Sequence, residues 1–134
     1  MKRRKFIQIS SKIAGAVTIL NFSSCINKVI PFKISLAEWS LHRSIWNKKI
    51  DHLDFAELST KTFGIDAIEY VNTFFFDKAK NINYLKDMKN RADVNGVKSL
   101  LIMCDNEGDL GDPNEEERNK SIENHFKWVE AAKF

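Results

Sequence analysis

The feature that most constrains this chain is a strand-like segment followed by a helix-like segment, three times over. "KISLAEWSL" (Lys33–Leu41) reads as a strand. "DHLDFAELSTKTFG" follows as a helix, with Asp51 as cap, Leu53, Ala56 and Phe63 on one face, and Gly64 as the stop. "IDAIEYV" (Ile65–Val71) is the second strand. "NINYLKDMKNRADVNG" is the second helix, with Leu85, Met88 and Ala92 at i, i+3 and i+7 and Gly96 closing it. "VKSLLIMC" (Val97–Cys104) is the third strand, nearly all apolar, as strands buried on both faces are. The last helix is expected after Asp112-Pro113, with Asp112 as cap. Glu115, Glu116 and Glu117 then sit at the positive end of its dipole, and Ile122, Phe126 and Val129 form its apolar stripe.

Three βα units at roughly thirty residues each fit the length of a strand–helix crossover. Parallel strands joined in this way build either an open doubly wound sheet or a (βα)8 barrel. The first strand ends in "EWSLHRS" and no Gly-rich fingerprint follows any strand, which counts against dinucleotide binding. A barrel takes eight units and about 250 residues. The expected fold is therefore α/β, the first three βα units of a (βα)8 TIM barrel. It is incomplete in this chain of 134 residues, which reads as the N-terminal piece of a longer protein. The last strand would then expose an edge.

The charge is unevenly spread. Residues 1–33 hold seven Lys/Arg and no acid, and the remainder holds fourteen Lys/Arg against eighteen Asp/Glu. A mildly acidic body argues against a nucleic-acid surface. "MKRRKFIQISSKIAGAVTIL" has the cationic start and short apolar stretch of an export signal, too short and mixed to span a bilayer. Residues 1–30 are thus expected to be a leader and 31–134 the barrel part. Arg3-Arg4-Lys5-Phe6-Ile7 resembles the twin-arginine export motif without its usual preceding Ser or Thr. This implies the twin-arginine export machinery as a partner and a periplasmic or membrane-anchored bacterial protein. "FSSC", ending at Cys25, loosely resembles a lipoprotein cleavage box, making Cys25 a lipidation candidate and membrane anchorage an alternative to cleavage. Cys25 and Cys104 lie in such different contexts that a disulfide between them is not expected.

In α/β folds, sites gather at the C-terminal ends of the strands. That criterion selects Glu38–Arg43, Glu69–Asn72 and Asp105–Glu107. His42 is either an acid/base or sugar-hydroxyl ligand, or a surface histidine. Trp39 either stacks on a sugar or fills the core. Glu69, a carboxylate inside an apolar strand, must be paired or face a pocket, and Asn72 has a similar position. Asp105, with Asn106 and Glu107 beside it, opens an acidic run of seven carboxylates in thirteen residues. The calcium-loop pattern fails there, because Glu107 replaces the second Asp/Asn and Leu110 stands where Gly belongs. His125 and Cys104 read as packing residues, and Phe74–Phe76 as either a pocket rim or core cover.

The stretches "ISLAEWSLHR", "LDFAELSTKTFGIDAIEYVN", "VKSLLIMCDNEGDLGDP" and "ENHFKWVEAAKF" resemble exported bacterial members of the sugar phosphate isomerase/epimerase family, within the xylose-isomerase-like barrel superfamily. The resemblance runs from about Lys33 to Phe134. That pattern more often carries Gln where this chain has Glu38. The resemblance implies a TIM barrel acting on a sugar or sugar phosphate. It implies a divalent metal (Mn, Mg, Co or Zn) held by carboxylates and a histidine from later strands. None of those ligands maps onto residues 1–134. Catalytic residues are therefore not expected in this chain, which alone would be inactive, and no metal is expected on it. Only pocket-lining roles carry over, to Trp39, His42, Glu69, Asn72 and Asp105. Two alternatives remain: a non-catalytic exported sugar-binding barrel, and an endonuclease-IV-like phosphodiesterase, which the acidic body disfavours.

Overall fold

The computed structural model describes residues 32–134. The leader, with Arg3-Arg4 and Cys25, lies outside the described residues. Strands β1 (Leu36–Ala37), β2 (Ala67–Val71) and β3 (Lys98–Met103) form a parallel sheet in the order β1-β2-β3. Between and after them run helices α1 (His42–Trp46), α2 (Phe55–Phe63), α3 (Ile82–Val94) and α4 (Glu115–Ala131). The architecture is α/β, with strands adjacent in chain order.

Helices α2, α3 and α4 cover one face of that sheet. Ile68 and Tyr70 of β2 meet Phe55 and Ala56 of α2, Leu85, Met88 and Ala92 of α3, and Trp128 and Ala131 of α4 in one buried cluster. Side chains alternate along a strand, so Glu69, between Ile68 and Tyr70, points to the opposite, uncovered face. Same-handed crossovers between successive neighbours place the helices this way.

Local signals set most boundaries. The Asp51 carboxylate accepts the Leu53 N–H at 2.9 Å and starts the turn that leads into α2. Gly64, at φ 66°, ends that helix in a left-handed conformation that costs glycine little. Asn81 caps α3 by accepting the Tyr84 N–H at 3.1 Å. The Leu85–Met88–Ala92 stripe is buried as its spacing predicts. Each of the larger two contributes about 2 kcal/mol through burial.

Four expectations are corrected. The first strand stops after Ala37, and the chain turns through a 3-10 turn at Glu38–Leu41 into α1. The cause is Glu38: its buried carboxylate, not a backbone carbonyl, accepts the Val71 N–H at the end of β2, at 3.0 Å. β3 is not buried on both faces. Leu100, Leu101 and Met103 are 55%, 47% and 40% exposed, and among the described residues β2 is its one strand neighbour. The cap of α4 is Asn114, whose side chain accepts the N–H groups of Glu116 and Glu117, while Asp112 accepts the Asn114 N–H. Finally, α4 buries Ser121, Trp128 and Ala131, leaving Ile122, Phe126 and Val129 exposed. A buried carboxylate on the preceding loop selects that face, as described below.

Candidate functional site

The three strands end on one rim. Its foundation is Glu38, which is fully buried. One carboxylate oxygen receives the Val71 N–H, and the other receives the Nδ1–H of His52. His52 is itself buried, with its ring nearly parallel to Phe75 at 4.9 Å. Both Glu38 oxygens are thus engaged, and the residue positions the rim rather than lining it. Sequence reading passed over His52. The available signal was Glu38, an acid at an apolar strand end that must find a partner if buried.

Above that lock sit the aromatic groups. Trp39 and His42 stack with ring centroids 4.8 Å apart and planes 12° apart. Trp46 stands edge-on to both, at 5.3 Å and 89° from Trp39 and at 5.0 Å and 80° from His42. Phe74, from the turn after β2, closes the group at 6.3 Å from Trp39. Trp39 and Trp46 are 40% and 56% exposed, so Trp39 is a rim residue and not a core one. The Nδ1 of His42 lies 2.6 Å from the Trp39 carbonyl. A carbonyl can only accept, so Nδ1 carries the proton and Nε2 of the neutral ring is left as an acceptor.

Glu69 is half-buried on the uncovered sheet face, where the Ser35 hydroxyl donates to its carboxylate at 2.5 Å. Its register partner is Leu101 of β3. Asn72 is fully buried. Its amide donates to the Asp105 carbonyl at 2.9 Å and its oxygen accepts the Asp105 N–H at 2.8 Å. That bridge takes one of the carboxamide's two N–H donors and one of its two lone pairs, and ties the ends of β2 and β3 together. The Asp105 carboxylate is half-buried and takes no hydrogen bond among the described residues.

The acidic run divides there. Asn106 and Gly108 both take positive φ, 61° and 96°, and swing Glu107 inward. Glu107 is buried, accepting the Trp128 indole N–H at 2.5 Å and pairing with Lys127 at 2.8 Å. Asn124 also donates to the Glu107 carbonyl at 3.0 Å. Glu107 is therefore an anchor for α4, not a pocket-edge group. Cys104 is half-buried, and burial pushes its thiol up, away from nucleophilic reactivity. His125 donates Nδ1–H to the Ser121 carbonyl at 2.7 Å within α4. Of the three phenylalanines, Phe75 is core, Phe74 partly buried and Phe76 exposed.

The structure thus brings Trp39, His42 and Phe74 together, and joins Asn72 to Asp105. Sequence reading missed Trp46, which α1 places on the rim. Among the described residues, no three His, Cys, Asp or Glu side chains gather closely enough to hold a metal ion. No protein-family model and no curated protein matches the chain.

Proposed function

We propose that this chain supplies the first three βα units of an exported (βα)8 barrel, and that the intact protein is a metal-dependent isomerase or epimerase of a sugar or sugar phosphate. The observation that carries the reading is the rim itself. Three successive parallel strands, with helices packed on one face only, deliver aromatic and carboxylate groups at a single end. Barrel sites are built at that end. Exposed indoles beside a histidine acceptor suit the apolar face and hydroxyls of a sugar ring. The exposed apolar side chains of β3 and the uncovered face around Glu69 are the surfaces that further barrel strands would cover. In this reading later strands hold the divalent metal, and the residues described above bind and orient the sugar.

One observation favours a second reading, a sugar-binding barrel without catalysis. Both oxygens of buried Glu38 are taken by Val71 and His52, so this acid holds the rim instead of moving a proton.

The test uses the full-length protein translated from the complete open reading frame that encodes this sequence. It is incubated in D2O with Mn2+ and a panel of aldoses and ketoses. Interconversion with deuterium uptake at the carbon beside the carbonyl, lost on chelation, is the expected result. Sugar binding without interconversion would select the second reading. Neither binding nor interconversion would overturn both.

A further inference from the structure

The one Asn-Gly step of the sequence, Asn95-Gly96, closes α3. Asparagine before glycine is the kind most easily deamidated. The glycine's backbone nitrogen attacks the side-chain amide carbon, and no side chain on the glycine stands in the way. The fold opposes that attack at three points. The nucleophile is occupied, because the Gly96 N–H donates to the Asp93 carbonyl at 3.0 Å. The Val97 N–H beside it donates to the Ala92 carbonyl at 2.9 Å, and Gly96 takes φ 67° between them. These two bonds and the left-handed glycine lock the helix end. The target is also held, because Nδ2 of Asn95 donates to the Arg91 carbonyl at 2.8 Å. Finally, Asn95 has ψ 3°, so the Gly96 nitrogen eclipses that residue's own nitrogen and not its Cβ. The five-membered ring cannot close until ψ turns far from this value.

We infer that Asn95 is a deamidation site gated by the last turn of α3: the closed turn keeps it intact, and opening of the turn exposes it to attack. In the opened turn the Gly96 nitrogen loses its proton to solvent and bonds to Asn95 Cγ. The Cγ–Nδ2 bond breaks and ammonia leaves. Water then opens the succinimide at either carbonyl, giving aspartate or isoaspartate, with no change of oxidation state. The product fits the turn less well. An aspartate there has no N–H to give the Arg91 carbonyl. Its charge would lie at the negative end of the helix dipole, two residues from Asp93. The Arg91 guanidinium cannot readily offset it, being paired with Asp54 at 2.8 Å and Asp87 at 3.1 Å. Deamidation therefore loosens the turn that leads into β3. The inference does not depend on the isomerase reading.

The test holds the full-length protein at mildly alkaline pH in heavy-oxygen water, in buffer and in denaturing urea. Peptide mapping reads deamidation at Asn95 as uptake of the heavy oxygen. Hydrogen exchange at the Gly96 and Val97 amides gives the fraction of time that the turn is open. Deamidation in buffer should be at least about tenfold slower than in urea, at the urea rate multiplied by that fraction. Ala92→Gly, checked for folding by circular dichroism, should speed it about fivefold or more in buffer and leave the urea rate unchanged. Asn95→Asp should lower the melting temperature. Equal rates in buffer and urea overturn the inference. So does a rate in buffer that departs from the opened fraction, a folded Ala92→Gly variant that deamidates no faster, or an Asn95→Asp variant that melts no earlier than the parent. If Ala92→Gly does not fold, the rates of the parent protein decide.

Discussion

Asn72 and Asp105 hold each other by two opposed hydrogen bonds, at 2.9 and 2.8 Å, across the ends of β2 and β3. Both backbone groups of Asp105 depend on one buried side chain. Asn72→Ala leaves a donor and an acceptor unmet and should lower stability by about 2–3 kcal/mol. Asn72→Asp keeps an acceptor for the Asp105 N–H and should cost less. Urea unfolding of the two variants checks the order. A cost near zero for Asn72→Ala would mean that the bridge does not form.

Gly108 tests the fold of the acidic loop. It has φ 96°, and an added Cβ would lie 2.1 Å from Ser121 Oγ and 3.0 Å from Ser121 Cβ. Ser121 is buried against it on α4. Gly108→Ala combines backbone strain with a steric clash and should destabilise by about 3 kcal/mol or more. Pairing it with Ser121→Gly should recover only the clash. Thermal melts of the single and double variants separate the two contributions.

Glu107 should behave as an anchor and not as a metal ligand. Trp128→Phe removes the indole donor and leaves a buried carboxylate short of a partner, costing about 1–3 kcal/mol. Glu107→Gln should also lower the melting temperature. Calcium should leave it unchanged in the parent chain. A calcium-dependent rise that Glu107→Gln abolishes would return this carboxylate to metal binding.

The two tyrosines of the chain give a pH signature. Burial pushes the phenols of Tyr70 and Tyr84 up to about 12, from an ordinary value near 10. A phenol that holds its proton more tightly when folded adds stability that is fully present below pH 10 and is lost as the pH rises through about 12. For Tyr70 a shift of this size is worth about 2–3 kcal/mol. Tyr84 is more open to solvent and contributes less. Absorbance at the tyrosinate band should stay low at pH 10 in the folded protein and rise there in denaturant. Tyrosinate forming at the same pH in both states would contradict the burial.

What the sequence disclosed was mostly local. Asp51, Gly64 and Gly96 act within one turn of their own positions, so their roles could be read directly. The Leu85–Met88–Ala92 stripe was legible because α3 has one side suited to burial. Errors came where a distant partner decides. "KISLAEWSL" alternates like a strand, yet Glu38 leaves the ladder to reach His52 and Val71. The Ile122–Phe126–Val129 stripe is as apolar as any, yet Glu107 draws the Trp128 side of α4 inward. The candidate site was legible as a set of strand ends. Which members face a ligand was not: Asn72 turned inward, while Trp46, missed in the sequence, turned out to the rim.

The central claim is that a sugar binds on the aromatic rim at the strand ends. Its most direct test is a tryptophan-emission titration of the intact protein with the panel of sugars, in the parent and in Trp39→Phe/Trp46→Phe. Trp128 is buried and serves as the internal reference. The expected result is saturable quenching in the parent, and loss of both the quenching and at least about tenfold of the affinity in the double variant. Equal sugar affinity in the two proteins would contradict the claim.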